Sequence, residues 1–361
     1  MDYTKVLRRA WHTVWNYRTL WIFGIILALT TGGGSWSAAR GDGDAGSQYN
    51  FRGEDLFRFE MGEMPPAEVV SILIAVGVGL VCVIVVLAIA ATIARYVAET
   101  ALIRMVDDHE KTGQKHSVRE GFRMGWSRTA FRLFLIKLLI GLPMALAFIL
   151  LFVLTLAPLL LWATGSTVAG VIGVATTIGL FFPILFLAIV AGVVLSLLRQ
   201  FFWRACALEE MGVIESIRQG FGIVRRHLKD VVIMWLIMIA VQIAWVIALI
   251  ATAIVLFPAI ILLIVVGGVL AGLPALLIGG LAGLIFEGAV PWILAGVVGL
   301  PIFILVMAAP WVFLSGLMEV FKSSVWTLTY QELRALESLE TESEQLPKLD
   351  TSGSEAAPIA L

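Results

Sequence analysis

Apolar runs longer than a bilayer span recur along this chain, and they leave few folds open. The stretches from about Ala67 to Ile93, 130–162, 168–198 and much of 231–318 carry almost no charge. A helix needs only about 20 apolar residues to cross the hydrocarbon core. The 361 residues are 60% hydrophobic and 14% charged, where a soluble domain carries about 25% charged residues. The expected class is therefore all-α integral membrane. A membrane barrel would show alternating segments of about 10 residues, and none is found. Two cysteines, Cys82 inside a span and Cys206 near a basic boundary, provide no disulfide framework.

A short pattern occurs three times and divides the chain. Arg8-Arg9-Ala10-Trp11, Arg119-Glu120-Gly121-Phe122 and Arg218-Gln219-Gly220-Phe221 each read Arg, any residue, small, aromatic. Each opens a basic amphipathic stretch that leads into a long apolar run. The expected architecture is six transmembrane helices, arranged as three repeats of an amphipathic surface helix plus a hairpin. The polytopic domain covers 1–335, with units of about 1–113, 114–211 and 212–335. Residues 31–66 form an extracytoplasmic loop, and 336–361 an acidic tail too poor in apolar residues to order itself.

Helical spacing supports the surface helices. Over 3–17, Tyr3, Val6, Leu7, Ala10, Trp11, Val14 and Trp15 share one face, and Lys5, Arg8, Arg9, His12 and Asn16 take the other. Ser117 and Glu120 have the spacing of a capping box at the start of the second unit. Val213, Ile217, Phe221 and Val224 make the third stripe, opposite Arg218, Arg225 and Arg226. Pro143, Pro158 and Pro258 mark expected kinks. The basic start followed by a short apolar core, Leu20–Thr30, and a glycine run also fits a cleaved signal peptide. The internal recurrence of the same entry pattern argues against that reading.

Orientation follows from Lys and Arg, which favour the cytoplasmic side. Six spans with both termini cytoplasmic put 21 of the 25 on that face. The expected location is a bacterial cytoplasmic membrane. The glycine-rich stretch 267–290 strains this count, because as a full span it would carry the C-terminus outside. It is read as a re-entrant or interfacial pair of short helices broken at Pro274. Gly268-x-x-x-Gly272 and Gly279-x-x-x-Gly283 within it fit close helix packing or dimerisation better than a transport gate.

Few residues carry chemistry. Lys137 lies inside a span but within snorkelling reach of the boundary. Gln242, Glu319 and Lys322 are the other intramembrane polar candidates, and Glu319 and Lys322 are placed to pair with each other or with Arg199 and Arg204. Asp107-Asp108-His109-Glu110 has metal-ligand types, but contiguous side chains on a helix diverge, so a solvated face is the better reading. No metal, cofactor, catalytic or nucleotide motif stands out, and nothing points to nucleic acid. The basic helices are the stronger lead, with Arg8, Arg119, Arg123, Arg218, Arg225 and Arg226 as lipid-phosphate contacts and Arg128 nearby.

Leu208-Glu209-x-x-Gly212, then Ser216-x-x-x-Gly220-Phe221, and Tyr330-Gln331-Glu332-Leu333-Arg334 after the last span resemble the membrane domain of glycerophosphoryl diester phosphodiesterases and its stand-alone relatives. The resemblance implies a six-span domain, sometimes fused to a soluble hydrolase. This sequence has no such hydrolase domain and no His/Glu/Asp metal cluster, so the activity does not carry over. The expectation is a non-enzymatic membrane protein that engages anionic lipids or acts as a scaffold, alone or with itself or another membrane protein. The alternative is a small-molecule or lipid transporter or channel with 267–290 as its gate. A polar cavity between spans, reached by Lys137 or Gln242, would favour that alternative, and a dry interior would exclude it.

Overall fold

The computed structural model describes residues 1–31, 67–164, 166–285, 288 and 290–352, and every element among them is helical. The helices are α1 (Tyr3–Asn16), α2 (Thr19–Thr31), α3 (Ala67–Thr112), α4 (Val118–Gly125), α5 (Arg128–Leu156), α6 (Thr167–Glu209), α7 (Val213–Arg226), α8 (Leu228–Val255), α9 (Phe257–Gly283) and α10 (Val290–Ser352). A 3₁₀ segment, Ala157–Thr164, follows α5 at Pro158. The expected outer loop lies outside the described residues.

Six helices, α3, α5, α6, α8, α9 and α10, are long and apolar enough to cross a membrane. That is the architecture of a multi-pass membrane protein. They are not the six read from the sequence. At a rise of about 1.5 Å per residue, α2 reaches only about 20 Å, short of the roughly 30 Å hydrocarbon core. The other difference is α9, which runs unbroken through Pro274. A proline inside a helix removes one backbone bond and crowds the preceding turn. Here both flanks hold their register, because α9 packs along α10. The interruption falls instead at Leu256, just before Pro258, a proline at the start of α9 where its missing N–H costs nothing. Leu256 N still donates to Thr252 O (2.9 Å), and Ile260 N to Leu256 O (3.0 Å), so the joint is a kink and not a turn.

Small residues set the α9–α10 contact, one register away from the first glycine pair. Gly268 and Gly272 face open space. A methyl group on Gly267 would lie 3.4 Å from Phe303 and Val306, one on Gly279 3.0 Å from Ala295, and one on Gly299 2.8 Å from Ala275. Gly267, Ala271, Ala275, Gly279 and Gly283 repeat every fourth residue, the spacing that brings membrane helices close. Gly24 and Gly316 do the same for α2 and α10. A methyl on Gly24 would sit 2.3 Å from the Gly316 carbonyl oxygen.

The buried core gathers at one end of the bundle. It draws on Tyr96–Val106 of α3, Phe201–Ala207 of α6 and Leu317–Leu333 of α10, with Leu20, Phe23 and Leu27 of α2 between them. The short helices α1, α4 and α7 cap this end. The small residue of each Arg-x-small-aromatic motif makes the contact: Ala10 is fully buried. A methyl on Gly121 would meet Met105 and Phe23, and one on Gly220 would come within 2.7 Å of Phe202.

The capping box of α4 forms as expected. Ser117 Oγ accepts from Glu120 N (3.4 Å), and the Glu120 carboxylate accepts from Ser117 N (2.8 Å). That backbone bond holds the Glu120 carboxyl below its usual value. Its contribution to stability is present above the ordinary carboxylate range and is lost as pH falls through the lowered value.

At the far end, α10 continues as helix through Ser352, past the point near 336 where an unstructured tail was expected. Leu336 packs on the core, and Glu337 pairs with Arg226 and, at 3.1 Å, with Arg334. These contacts hold the first two residues of that stretch, Leu336 and Glu337, against the cap.

Gly220 and Gly222 provide a paired test of the cap. In a helix, Gly→Ala normally stabilises by about 0.5–1 kcal/mol. Gly222 has open space around it, so Gly222→Ala should raise the melting temperature in detergent. Gly220→Ala forces its methyl into Phe202 and should lower it, by the roughly 1–3 kcal/mol typical of overpacking.

Candidate functional site

The apolar stretches of three helices end at the same place. Reading α3 toward its C-terminus, the first charge after the apolar run is Arg95; in α6 it is Arg199, and in α10 it is Glu319, followed by Lys322. These residues, with Glu99, Gln200, Arg204 and Ser323, line a cavity of about 310 Å³. The facing wall comes from α8 and includes Trp235, Met238 and Gln242. Gln242 lies nearly four turns into α8, so the cavity reaches into the apolar layer.

Its charge is unbalanced. Four cations, Arg95, Arg199, Arg204 and Lys322, meet two carboxylates, Glu99 and Glu319. Lys322 Nζ pairs with Glu319 at 3.3 Å. Arg204 is 1% exposed; it donates to the Gln200 carbonyl and side chain, both at 2.8 Å, and to Ser323 O at 3.1 Å. The Arg199 guanidinium lies over the Trp203 ring, 5.1 Å from its centre. Burying an arginine is costly unless acceptors surround it, and the lining provides only part of what these groups require.

Sequence reasoning brought Glu319, Lys322, Arg199 and Arg204 together, and the structure does so, with Gln242 beside them. Lys137 does not line the cavity. Arg95 and Glu99, on the part of α3 that continues past its apolar run, join them. The signal that finds them is positional: each lies in the first turn after a long uncharged stretch. The proposed phosphate contacts stand elsewhere. Arg8, Arg119, Arg123, Arg218, Arg225 and Arg226 are all exposed on the capping helices.

A second polar network ties the cap together. Asp107, Asp108, His109 and Glu110 diverge, as expected, but they are engaged and not merely solvated. Asp107 accepts from Lys111 (2.8 Å) and from Gln331, Asp108 pairs with His116, and Glu110 pairs with Arg9. His109 lies beside Tyr17, the ring centres 5.2 Å apart and the planes tilted by 50°. The Tyr17 hydroxyl donates to the His116 carbonyl at 3.2 Å, and burial is the main reason its phenol sits above the usual value. No group of three or more metal-ligating side chains converges among the described residues.

Glu209 is the hub of the remaining bonds. Tyr330 donates its hydroxyl to it, Gln219 its amide at 2.6 Å, and Arg334 its guanidinium at 3.1 Å. The two sequence patterns around Glu209 and Tyr330, far apart in the chain, therefore meet at one carboxylate.

A family model matches residues 9–334. The chain belongs to a family of unknown function, DUF7544. The match covers all the helices that build the cavity and most of the cap. Neither a curated protein nor a solved structure matches the chain. Within this DUF7544 member, the resemblance to the phosphodiesterase membrane domain rests on the short motifs alone.

Removing the hub carboxylate leaves the Tyr330 hydroxyl, on a residue 2% exposed, without its acceptor. Glu209→Ala should destabilise the protein by about 1–3 kcal/mol, the cost of an unsatisfied buried polar group. Adding Tyr330→Phe should recover part of that loss. Thermal unfolding of the single and double variants in the same detergent measures the coupling.

Proposed function

We propose that the chain is a non-enzymatic, lipid-engaging membrane domain built from three copies of one unit, a basic surface helix followed by a paired crossing. The observation that carries this reading is how α1, α4 and α7 sit. Each turns its arginines outward beside a half-exposed ring: Trp11 is 51% exposed, Phe122 38% and Phe221 51%. Trp and Phe on a basic amphipathic helix dip into the boundary between headgroups and acyl chains, and each cation near an anionic leaflet contributes about 1 kcal/mol. The burial pattern of residues 211–220 repeats that of 1–10 position by position, with Ser216 and Gly220 buried where Val6 and Ala10 are.

In this scheme the capped face is cytoplasmic and both chain ends lie on it, in keeping with the Lys and Arg distribution, and the short α2 carries the first crossing where the apolar layer thins around it. The membrane is the bacterial cytoplasmic membrane. α8 and α9 together form one outward leg, jointed at Leu256, and α10 the return leg, so the third unit remains a single hairpin with extra length. The apolar flanks of the long helices face lipid, another copy of the chain or another membrane protein.

One observation favours a second reading, a transporter of small molecules or lipids. The interior between α3, α6, α8 and α10 is polar, and Gln242 reaches it. In that reading 267–283 moves as a rigid helix and not as a loop.

Arg218, Arg225 and Arg226 test the first reading. Changing all three to Gln should weaken retention of anionic phospholipid by tenfold or more, from about 1 kcal/mol per charge, with Arg226 contributing least because Glu337 already engages it. Native mass spectrometry with phosphatidylglycerol checks this. Unchanged retention would reduce the three arginines to orientation signals.

A further inference from the structure

Residues that line the cavity carry buried hydrogen-bond donors that nothing among the described residues satisfies. Among the described residues, seven buried side-chain atoms lack a partner, and four of them belong to residues that line this one space: Arg199 Nε, Trp203 Nε1, Arg204 Nε and Ser323 Oγ. Three are N–H groups, which only donate. Arg204, Trp203 and Ser323 are 1%, 4% and 5% exposed. Each such orphan costs about 1–3 kcal/mol, so gathering them in one place calls for an acceptor. Charge points the same way. With Lys322 and Glu319 matched to each other, Arg95, Arg199 and Arg204 face the single carboxylate of Glu99.

We propose that this cavity binds a phosphate group, presented either by a lipid headgroup or by a soluble phosphate ester. A tetrahedral oxyanion offers acceptor oxygens in several directions at once, which suits donors arriving from α6 and α10 together. Arginine is the side chain best matched to it, through paired and charge-assisted bonds. The volume, about 310 Å³, is on the order of ten water molecules at about 30 Å³ each, room for a phosphate with a small polar group attached. Glu99 makes no hydrogen bond or ion pair with the described residues, so its carboxylate is free to accept from a hydroxyl or amine next to the phosphate. The location suits a headgroup, because three apolar stretches end here and Gln242 lines the side toward the apolar layer. The proposal deepens the lipid-engaging reading but uses none of its surface arginines, so the two fail separately.

The test uses the full chain, purified in detergent and stripped of lipid. One arm titrates inorganic phosphate and glycerol 3-phosphate and follows the melting temperature, which rises when a ligand binds only the folded state. The other arm reads lipid retention by native mass spectrometry, comparing phosphatidylglycerol with a diacylglycerol of the same chains. The variants are Arg199→Gln, Arg204→Met and Trp203→Phe; the last removes only the indole N–H donor while keeping an aromatic ring.

The wild type should bind at least one phosphate-bearing probe and discriminate against diacylglycerol. Arg199→Gln should weaken that binding by about tenfold, the equivalent of one charge-assisted bond at about 1.4 kcal/mol. Trp203→Phe should weaken it by a few fold. Response to the soluble probes alone assigns a phosphate ester, and response to phosphatidylglycerol alone assigns a headgroup. If Arg204→Met does not fold, the other two variants decide. A wild type indifferent to every phosphate probe, or Arg199→Gln and Trp203→Phe proteins that bind as wild type does, would overturn the proposal and leave a cavity filled by water.

Discussion

Helices that are apolar on every side gain no hydrophobic energy by packing against one another in lipid. Specific assembly must come from elsewhere, and here it comes from the polar boundary at one end of the bundle. Where α3, α6 and α10 leave their uncharged stretches, their first ionisable groups meet, and just beyond them lies the buried core. The windows of the long helices that would lie in a membrane are almost wholly exposed. Cap, core and cavity are consecutive layers of the same solution: the chain binds itself together where water, headgroups and side chains can all be satisfied.

Close approach of backbone to backbone is the second device. Dispersion and carbonyl contacts grow steeply as helices draw together, so a missing side chain becomes an attractive feature. Gly24 against Gly316, the small-residue ladder of α9 against Ala295 and Gly299, and Gly121 and Gly220 beneath the cap all work this way. The third place of the Arg-x-small-aromatic motif thereby acquires a physical meaning. The arginine and the ring look outward, and the small residue is what lets a short helix lie flat on a long one.

The class, the long apolar helices and the three short basic helices could all be read in the sequence, because hydropathy and helical spacing are local properties. The Ser117–Glu120 capping box was legible for the same reason. Properties settled by tertiary contact were not. Pro274 looked like a break, yet packing along α10 carries α9 straight through it. The acidic stretch beyond 336 looked unstructured, yet Glu337 at its start is ion-paired to Arg226 and Arg334. Within the chain it is Gly267 and not Gly268 that meets α10. Half of the cavity was visible in Glu319, Lys322, Arg199 and Arg204. Arg95 and Glu99 escaped because nothing local separates a charge that ends a span from one that lines a shared interior.

The contact between Gly24 and Gly316 bears on how the N-terminal segment is to be understood. α2 is too short to span the hydrocarbon, yet Leu20, Phe23 and Leu27 are almost completely buried and its backbone touches that of α10. It acts as a wedge driven between α3 and α10. Any side chain larger than a hydrogen at Gly24 or Gly316 would therefore push the wedge off α10 and uncover the inner flanks of both.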